Sequence, residues 1–360
     1  MSDRAERLIE LLDGEGVDVL LVTSLVNVRY MTGYTGSNGL ALVGRVGSEI
    51  RVFITDFRYV EQAKAEVNGS YDRRRAQHEL LDAVGEALPG HELRLGFDDA
   101  NLTVRQHARL RELLPERVEL VKAGGLVEQL RAVKEPEEIE RIRVATGIAD
   151  AALAELLEQG LVGRTERDLA AALEQAMVVH GASRPSFDSI VAVGPHGALP
   201  HATPRDVEVP AGELVVIDWG AEVDGYCSDC TRTIATGEPG TEARDIYQLV
   251  LEAQIAGVEA VKAGAGGREV DAVAREVIDA AGHGEHFGHG LGHGVGSEVH
   301  EAPRLSKRSE DQLRSGNVVT VEPGVYLPGR LGVRIEDLVV VGDDGCEILT
   351  SLDKQLLVSD

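Results

Sequence analysis

Two segments in the second half of the chain place acidic side chains where paired strands are expected. In the first segment, the Asp-Gly pair at 224–225 predicts a two-residue hairpin turn. Because side chains alternate along a strand, a turn there places four residues on one face of the hairpin. These residues are Asp218, Gly220, Asp229 and Thr231. The two aspartates become diagonal neighbours whose carboxylates can converge. Gly220 adds no side chain, so we expect a ligand to occupy the space beside Asp229.

The second segment spans residues 318–337. With a turn centred on Gly329, Glu322 and Glu336 face each other, and Arg334 shares their face. Like charges opposite each other destabilise a sheet, and the apolar neighbours of these residues predict burial. Buried carboxylates that face each other share a proton, pair with arginine or bind a metal ion. Four carboxylates on two such hairpins therefore favour a metal site over a purely structural role.

A third segment, residues 287–301, holds three histidines among five glycines: His289, His293 and His300. So many glycines disfavour a helix, and we expect an irregular loop or a bulged strand. Histidine combined with carboxylates suits a first-row divalent metal better than calcium. One histidine with four acids predicts two bridged divalent ions, an arrangement that activates water for hydrolysis.

Composition restricts the remaining functions. The 360 residues include 36 basic and 61 acidic side chains, for a formal charge of −25, which argues against a nucleic-acid binder and a polybasic membrane anchor. No apolar stretch approaches the roughly 20 residues that cross a bilayer. The polar N-terminus, beginning Met1-Ser2-Asp3, is unlike a secretory signal, and three cysteines do not make a disulfide framework. We therefore expect a cytoplasmic protein.

The elements that position these residues predict two domains. Alternating strands and helices predict an α/β domain over residues 1–123, which ends before the Gly124-Gly125 pair. Residues 124–360 predict an α+β domain, whose strands gather in hairpins while its helices form separate runs. Helices are expected at four places in this second domain: 137–158, from Thr165 onward, 242–263 and 268–281.

These residues resemble the metallopeptidases of the pita-bread fold, which include aminopeptidase P, prolidase and methionine aminopeptidase. The matching segments are IDWGAEVDGYCSDCTRT (217–233), HGLGHGVGSEVHE (289–301), VEPGVY (321–326) and GVRIED (332–337). The resemblance covers the whole chain, because the leading α/β domain looks like the creatinase-type N-terminal domain that methionine aminopeptidases generally lack. It implies a creatinase-like domain followed by a pita-bread catalytic domain, and a homodimer.

The resemblance also implies a role for each candidate residue. The metal ligands would be Asp218, Asp229, His293, Glu322 and Glu336. They would hold two divalent ions, with manganese expected first and cobalt or zinc as alternatives. Glu322 would also be the general base for a bridging water or hydroxide. Three histidines would position the substrate and stabilise the tetrahedral intermediate: His201, His289 and His300. Candidates for substrate binding or for support of the ligands are Arg334, Arg304 and Thr231.

The implied reaction is hydrolysis of the bond between an N-terminal residue and a following proline in small peptides. Aminopeptidase P acts on longer peptides, and prolidase acts on dipeptides only. Arg304 lies where some prolidases place an arginine for the dipeptide's carboxylate, whereas small bacterial relatives of this length are often aminopeptidases. We expect the aminopeptidase, with prolidase as the alternative. A metal-free creatinase-like hydrolase and a non-catalytic binding module are lesser alternatives, because both would be expected to lose ligands that this sequence retains.

Overall fold

The structure is a computed structural model that describes residues 3–359. Met1 and Ser2, part of the N-terminus compared above with a secretory signal, lie outside the described residues. The chain forms two compact units, of which one ends at Arg131 and the other begins at Ala132. Within residues 3–359, no helix combines the length and the apolar character needed to span a bilayer.

The division between the units lies after the one expected at 123–124. The helix Leu126–Ala132 follows the expected division, yet Leu126 and Val127 are buried in the hydrophobic core of the first unit. The glycine pair at 124–125 therefore forms a turn before this helix rather than a linker between the units.

The first unit contains one six-stranded sheet with helices, as expected for an α/β domain. Its strands are β1 (Val19–Val22), β2 (Gly39–Val46), β3 (Ser48–Thr55), β4 (Asp72–Arg75), β5 (Leu93–Phe97) and β6 (Val118–Lys122). They are ordered β4-β3-β2-β1-β5-β6, and β2 is antiparallel to both of its neighbours while the other pairs are parallel. All four residues of β1 are buried, because both faces of the sheet are covered: Leu20 and Val22 enter one hydrophobic core, and Val19 and Leu21 enter another.

The helices of the first unit are α1 (Arg4–Glu15), α2 (Leu25–Thr32), α3 (Val60–Glu66), α4 (Val84–Ala87), α5 (Val104–Leu113) and α6 (Leu126–Ala132). Helix α1 begins after Asp3, whose carboxylate accepts from the backbone of Ala5, and it ends at Gly16, which has a φ of 63°. Its apolar residues recur three and four positions apart and are buried: Leu8, Ile9 and Leu12.

The second unit has four long helices that pack in two pairs. They are α7 (Pro136–Glu158) with α8 (Glu166–Val179), and α9 (Thr241–Ala260) with α10 (Gly267–Ala280). Each pair contributes to a separate hydrophobic core. Helix α8 begins where the sequence predicts, because the hydroxyl of Thr165 accepts from the backbone N–H of Asp168.

The strands of the second unit are short. They are β7 (Arg184–Pro185), β8 (Ile190–Val193), β9 (Leu214–Trp219), β10 (Ala221–Val223), β11 (Tyr226–Cys227), β12 (Cys230–Ala235), β13 (Gly292–Gly294), β14 (Glu301–Leu305), β15 (Val318–Val321), β16 (Gly324–Leu327), β17 (Leu331–Arg334), β18 (Asp337–Val341) and β19 (Cys346–Ile348). They form sheets ordered β12-β9-β8, β11-β10-β7, β14-β13-β15-β18-β19 and β16-β17. The two acidic hairpins are therefore each divided between two small sheets.

Candidate metal centre

The first acidic hairpin folds about the predicted turn at 224–225. Both turn residues have positive φ angles, 49° and 74°, which this two-residue turn requires. The ladder β9–β12 pairs Asp218 with Thr231, as predicted, and β10–β11 keeps the same register beside the turn. The two ladders are separate, and Asp229 lies in the gap between them. The gap frees Asp229 from regular pairing at the place where its carboxylate approaches that of Asp218.

The prediction that a ligand occupies the space at Gly220 was wrong. A Cβ atom on Gly220 would collide with the carbonyl oxygen of Ser228 and with the hydroxyl of Ser186. That hydroxyl donates to the Ser228 carbonyl across 2.8 Å, and the Ser186 backbone N–H donates to Gly220. Glycine is required here because a neighbouring protein segment approaches closely.

The second acidic hairpin also keeps one register across a gap. The ladder β16–β17 closes the hairpin, and β15–β18 continues it in the same register. Glu322 and Glu336 lie between the two ladders, opposite each other as predicted. Their backbone N–H groups donate elsewhere, from Glu322 to Leu291 (2.8 Å) and from Glu336 to Thr231 (3.1 Å). Both acidic hairpins therefore open where they present carboxylates.

The side chains expected as metal ligands converge. One oxygen each from Asp218, Asp229 and Glu336 lies within 4.8 Å of the other two. The Nε2 atom of His293 lies 3.6 Å from Asp229 Oδ2 and 3.3 Å from Glu322 Oε1. The structure thus brings together all five residues that the resemblance implies.

His293 lies on a bulged strand, one of the two conformations expected for the histidine-rich segment. The register of β13 with β14 shifts directly after His293. Its Nδ1 atom lies 3.1 Å from the carbonyl oxygen of Gly294, and its backbone N–H donates to Thr320 Oγ1. We assign the ring proton to Nδ1, because the carbonyl requires a donor. The lone pair of Nε2 is then directed at carboxylate oxygens, the arrangement of a metal-binding imidazole.

The electrostatics of the cluster fit a divalent cation. Asp218 Oδ1 and Glu336 Oε1 are buried, and no donor within residues 3–359 reaches either atom. Burial, followed by the charges of neighbouring carboxylates, raises the pKa of Asp229 and that of Glu336 well above their usual values. Ionised oxygens this close together require positive charge between them. Carboxylates plus one imidazole form a donor set that manganese, cobalt and zinc accept.

Two further predicted residues hold the ligands in place. The buried guanidinium of Arg334 donates to Asp218 Oδ2 across 2.5 Å and to Thr231 Oγ1 across 2.9 Å. The Thr231 hydroxyl in turn donates to Glu336 Oε2 across 2.8 Å. One arginine cannot balance the four carboxylates of the cluster, so its contacts orient the ligands but leave net negative charge.

Tyr326 is a site residue that the sequence reasoning missed. Its hydroxyl lies 2.9 Å from Arg334 Nη1 and 2.9 Å from His289 Nε2, so it accepts from the arginine and donates to the histidine. Burial raises the pKa of Tyr326 to about 12, which keeps the donor proton. The Nδ1–H of His289 is directed at the Gly290 carbonyl, 2.8 Å away. Both ring nitrogens of His289 are therefore engaged by protein.

The other two predicted histidines are more accessible. His201 and His300 are exposed, and among the residues that the structure describes none forms a hydrogen bond with either ring. The ring of His300 lies 4.4 Å from that of His293, measured between centroids. Partial desolvation of the ring, followed by the neighbouring His293, lowers the pKa of His300 below its usual value.

Most of these side chains line one cavity of about 570 Å³. Ten of the predicted site residues line it: His201, Asp218, Asp229, His289, His293, His300, Arg304, Glu322, Arg334 and Glu336. Thr231 lies behind this wall and is completely buried. A second cavity, of about 640 Å³, lies in the first unit and is lined by none of the predicted site residues. The first of these cavities is therefore the candidate active site.

Arg304 differs from the other charged residues of the cavity. Its backbone N–H donates to Asp311, but within residues 3–359 its side chain forms no ion pair with an acidic residue. Arg334, by contrast, is bound to Asp218. The cavity wall therefore carries one exposed guanidinium that can receive an anion.

Two family models match the chain. The model of metallopeptidase family M24 matches residues 140–343, and that of the creatinase/prolidase N-terminal domain matches residues 4–133. Together they account for both units of the structure.

Individual proteins match over the full chain. The Xaa-Pro dipeptidase of Pyrococcus furiosus is 38% identical, and the alignment covers 99% of this chain and 100% of that protein. The solved structure of an Xaa-Pro dipeptidase from Bacillus anthracis is 42% identical with a TM-score of 0.94, covering 99% of both chains. The solved structure of an X-Pro aminopeptidase from Thermotoga maritima is 37% identical with a TM-score of 0.90, covering 99% of this chain and all of that one.

Proposed function

Because the chain belongs to metallopeptidase family M24, and is a peptide hydrolase, we propose that it is an Xaa-Pro dipeptidase that uses two divalent metal ions. Its fold is the one that the resemblance implied, a creatinase-type N-terminal domain followed by a pita-bread catalytic domain. The sequence alone favoured the aminopeptidase. The relatives support the dipeptidase alternative better, because two of the three described above are named Xaa-Pro dipeptidases.

The observation that carries the proposal is the exposed guanidinium of Arg304 in the same cavity as the carboxylate cluster. A dipeptide ends in a carboxylate directly after the scissile bond, on the proline itself. In a longer peptide the same position is an amide, which carries no charge. A hydrogen bond between charged groups contributes about 1.5–3 kcal/mol, enough to select one substrate over the other.

Five side chains would hold the metal ions, and these are Asp218, Asp229, His293, Glu322 and Glu336. Divalent cations held there would supply Lewis acidity towards the scissile carbonyl and would lower the pKa of water towards 7. Arg334 and Thr231 fix the orientation of the ligands through the hydrogen bonds described above.

The remaining groups of the cavity handle protons and developing charge. Glu322 accepts the proton of the attacking water and delivers it to the leaving proline nitrogen. The imidazole rings of His201 and His300 donate N–H groups to the oxygen that becomes negative in the tetrahedral intermediate. His289 keeps its ring nitrogens bound to Tyr326 and Gly290, so we assign it a positioning role.

The test compares three substrates with the same first two residues: Xaa-Pro, Xaa-Pro-Yaa and Xaa-Pro amide. The purified protein is stripped of metal and reloaded separately with manganese, cobalt and zinc, and product formation is followed by chromatography. We expect kcat/KM for the dipeptide to exceed that for the other two by at least about tenfold. Arg304→Ala should abolish this preference, whereas Arg308→Ala, on the same exposed segment, should retain it.

Equal or faster cleavage of the longer peptide would favour the aminopeptidase over the dipeptidase. If the reloaded protein cleaves none of the three substrates, both the dipeptidase and the aminopeptidase assignments are contradicted. Metal analysis separates the remaining alternatives, since about two ions per chain support the peptidase, while a creatinase-like hydrolase or a binding module would hold none. Manganese as the native ion, the homodimer and the cytoplasmic location stay predictions.

A further inference from the structure

Glu166 is a buried carboxylate that the proposed chemistry does not use. It is the first residue of α8, and its side chain has no exposed surface. Five donor groups surround it within 3.0 Å: the backbone N–H of Val193, Nδ1 of His196, and the backbone N–H, Nε and Nη2 of Arg205. The guanidinium of Arg205 binds both carboxylate oxygens, which is the strongest geometry for such a pair.

Four of these donors, on Val193 and Arg205, lie at the two ends of one segment of the cavity wall, and His196 lies inside it. Val193 ends β8 and precedes the segment, while Arg205 follows it. Residues 194–204, called here the His201 segment, lie between them and include the cavity-lining residues 200–204. One carboxylate therefore joins both ends of the segment that carries His201.

The His201 segment has a second point of attachment, in its middle. Arg334 Nη1 donates to the carbonyl oxygen of Pro200 across 3.1 Å. The short 3-10 helix at the start of the segment, Gly194–Ala198, packs closely on β17, where a Cβ on Gly332 would collide with the carbonyl of Gly197. Between Pro200 and Arg205, however, the exposed ring of His201 is held by no hydrogen bond from another described residue. The position of the ring consequently depends on how the backbone is fixed on either side.

The charge of Glu166 is retained despite its burial. Burial alone would raise its pKa, but the hydrogen bonds from Arg205, Val193 and His196 outweigh this effect and lower the pKa below its usual value. An ionised carboxylate can accept from all five donors at once, whereas a protonated acid or an amide cannot.

We propose that Glu166 is a positioning residue for His201, and that its carboxylate holds the two ends of the His201 segment so that the imidazole stays at the cavity wall. This inference rests on the proposed peptidase function, in which His201 donates to the developing oxyanion. Displacing a catalytic group by about 1 Å can lower the rate 100-fold, so loss of the attachment is visible in turnover. No part of Glu166 touches the substrate cavity.

A double-mutant cycle tests the proposal. Wild type, Glu166→Gln, His201→Ala and the double variant are reloaded with metal and assayed with the Xaa-Pro dipeptide. We expect Glu166→Gln to lower kcat about tenfold with KM changed less than about twofold, and His201→Ala to lower kcat about 100-fold. In the His201→Ala background, Glu166→Gln should lower kcat no further. An undiminished tenfold loss in that background would show that Glu166 acts through general destabilisation, and would overturn the proposal.

Arg205→Ala provides a second variant if Glu166→Gln fails to fold. The Arg205 side chain is 46% exposed, so its removal creates no sealed cavity, and we expect a smaller loss of kcat that is again absent without His201. Unchanged kcat in both variants would overturn the proposal.

Asp150→Asn is the matched control: Asp150 is also buried and accepts two hydrogen bonds, from Ser351, but it lies outside the cavity lining. Its kcat should equal that of wild type.

Hydrogen exchange separates this proposal from the proposed function. Backbone amides of the His201 segment should exchange faster in Glu166→Gln than in wild type or in Asp150→Asn. If the wild type cleaves none of the peptides while this contrast is present, the proposed function fails and the positioning of the segment stands. If exchange in the segment is the same in all three proteins, the positioning role fails whatever the activity.

Discussion

The second unit contains two buried carboxylate sites, the single carboxylate of Glu166 and the cluster at the candidate metal centre. They differ in how their negative charge is compensated. Glu166 is surrounded by five protein donors, two of them from one guanidinium. At the metal centre, Asp218, Asp229 and Glu336 approach one another within 4.8 Å, and buried oxygens of Asp218 and Glu336 have no donor within residues 3–359. The pKa of Glu166 is lowered, whereas that of Glu336 is raised.

The difference separates a structural carboxylate from a ligand. A buried carboxylate with a full set of donors is stable as an anion and needs nothing from solution. A group of carboxylates that repel one another and lack donors is stable only when protonated or when cations bind. Burial and negative charge are common to both groups, so it is the count of donors that assigns their roles.

The largest effect is expected from removing a ligand. Glu336→Ala should lower turnover at least about 10³-fold and reduce metal occupancy, because it removes a carboxylate that lies within reach of two others. Turnover and metal content of the purified variant are the measurements. Glu347→Gln removes an exposed partner of Arg143 and serves as control, with both quantities unchanged. Retained activity in Glu336→Ala would count against its place among the ligands.

The comparison predicts opposite stability changes in metal-free protein. Glu166→Gln should lower the free energy of unfolding by about 2 kcal/mol, because it leaves the half-exposed guanidinium of Arg205 and three further donors without an anion. Glu336→Gln should raise it by about 1 kcal/mol, because it removes one of several carboxylates that repel each other. Urea unfolding in the presence of a chelator measures both. If the free energy of unfolding decreases by a similar amount in Glu166→Gln and Glu336→Gln, the two carboxylate sites do not differ in the way argued above.

The sequence predicts the convergence of the carboxylates well because hairpin geometry is local. Turn residues at 224–225 and the alternation of side chains are sufficient to place Asp218 on one face with Asp229, and Glu322 opposite Glu336. The same alternation could have found Tyr326, which shares the face of Arg334 on the predicted hairpin. The sequence analysis did not single out Tyr326, because a tyrosine in an apolar strand is typical of a residue of the hydrophobic core.

Contacts between distant segments could not be predicted in this way. Glu166 meets donors that are 27 to 39 positions away in the sequence, and no periodicity links α8 to the segment after β8. Gly220 shows the same limit, since its role depends on Ser186, which directly follows β7 and is distant in the sequence. The first unit includes nearly all of α6 and ends at Arg131 for a similar reason, because burial of Leu126 and Val127 is decided by packing.

A smaller effect should distinguish catalysis from ligation within the metal centre. His300→Ala should lower turnover about 100-fold, because it removes an N–H group that can donate to the oxyanion, while the metal content stays that of the wild type. Kinetics and metal content of the same preparation are compared. The ring of His300 lies beside that of His293, so loss of metal from His300→Ala would show that His300 is itself a ligand.

The smallest expected effect is on the pH dependence of stability. The contributions of Glu166 and Asp150, two buried carboxylates outside the metal-ligand set, should change with pH in opposite directions. The folded-state pKa of Glu166 lies below its usual value of 4.5. Its contribution to stability is therefore complete above pH 4.5 and is lost as the pH falls through the lowered pKa. The difference in unfolding free energy between wild type and Glu166→Gln should consequently shrink in acid.

Asp150 should behave in the reverse manner. Burial raises its pKa above the usual value of 3.8, although the hydrogen bonds from Ser351 oppose the shift. Its folded form binds more protons than the unfolded chain, so its contribution is complete below pH 3.8 and declines as the pH rises through the raised pKa. The difference between wild type and Asp150→Asn should therefore shrink as the pH increases. Urea unfolding of the wild type and the two variants over the same pH series checks both trends. All other carboxylates are common to the three proteins, so each difference reports on one buried group. If both differences change in the same direction with pH, the number of donors does not set the charge state of these buried groups.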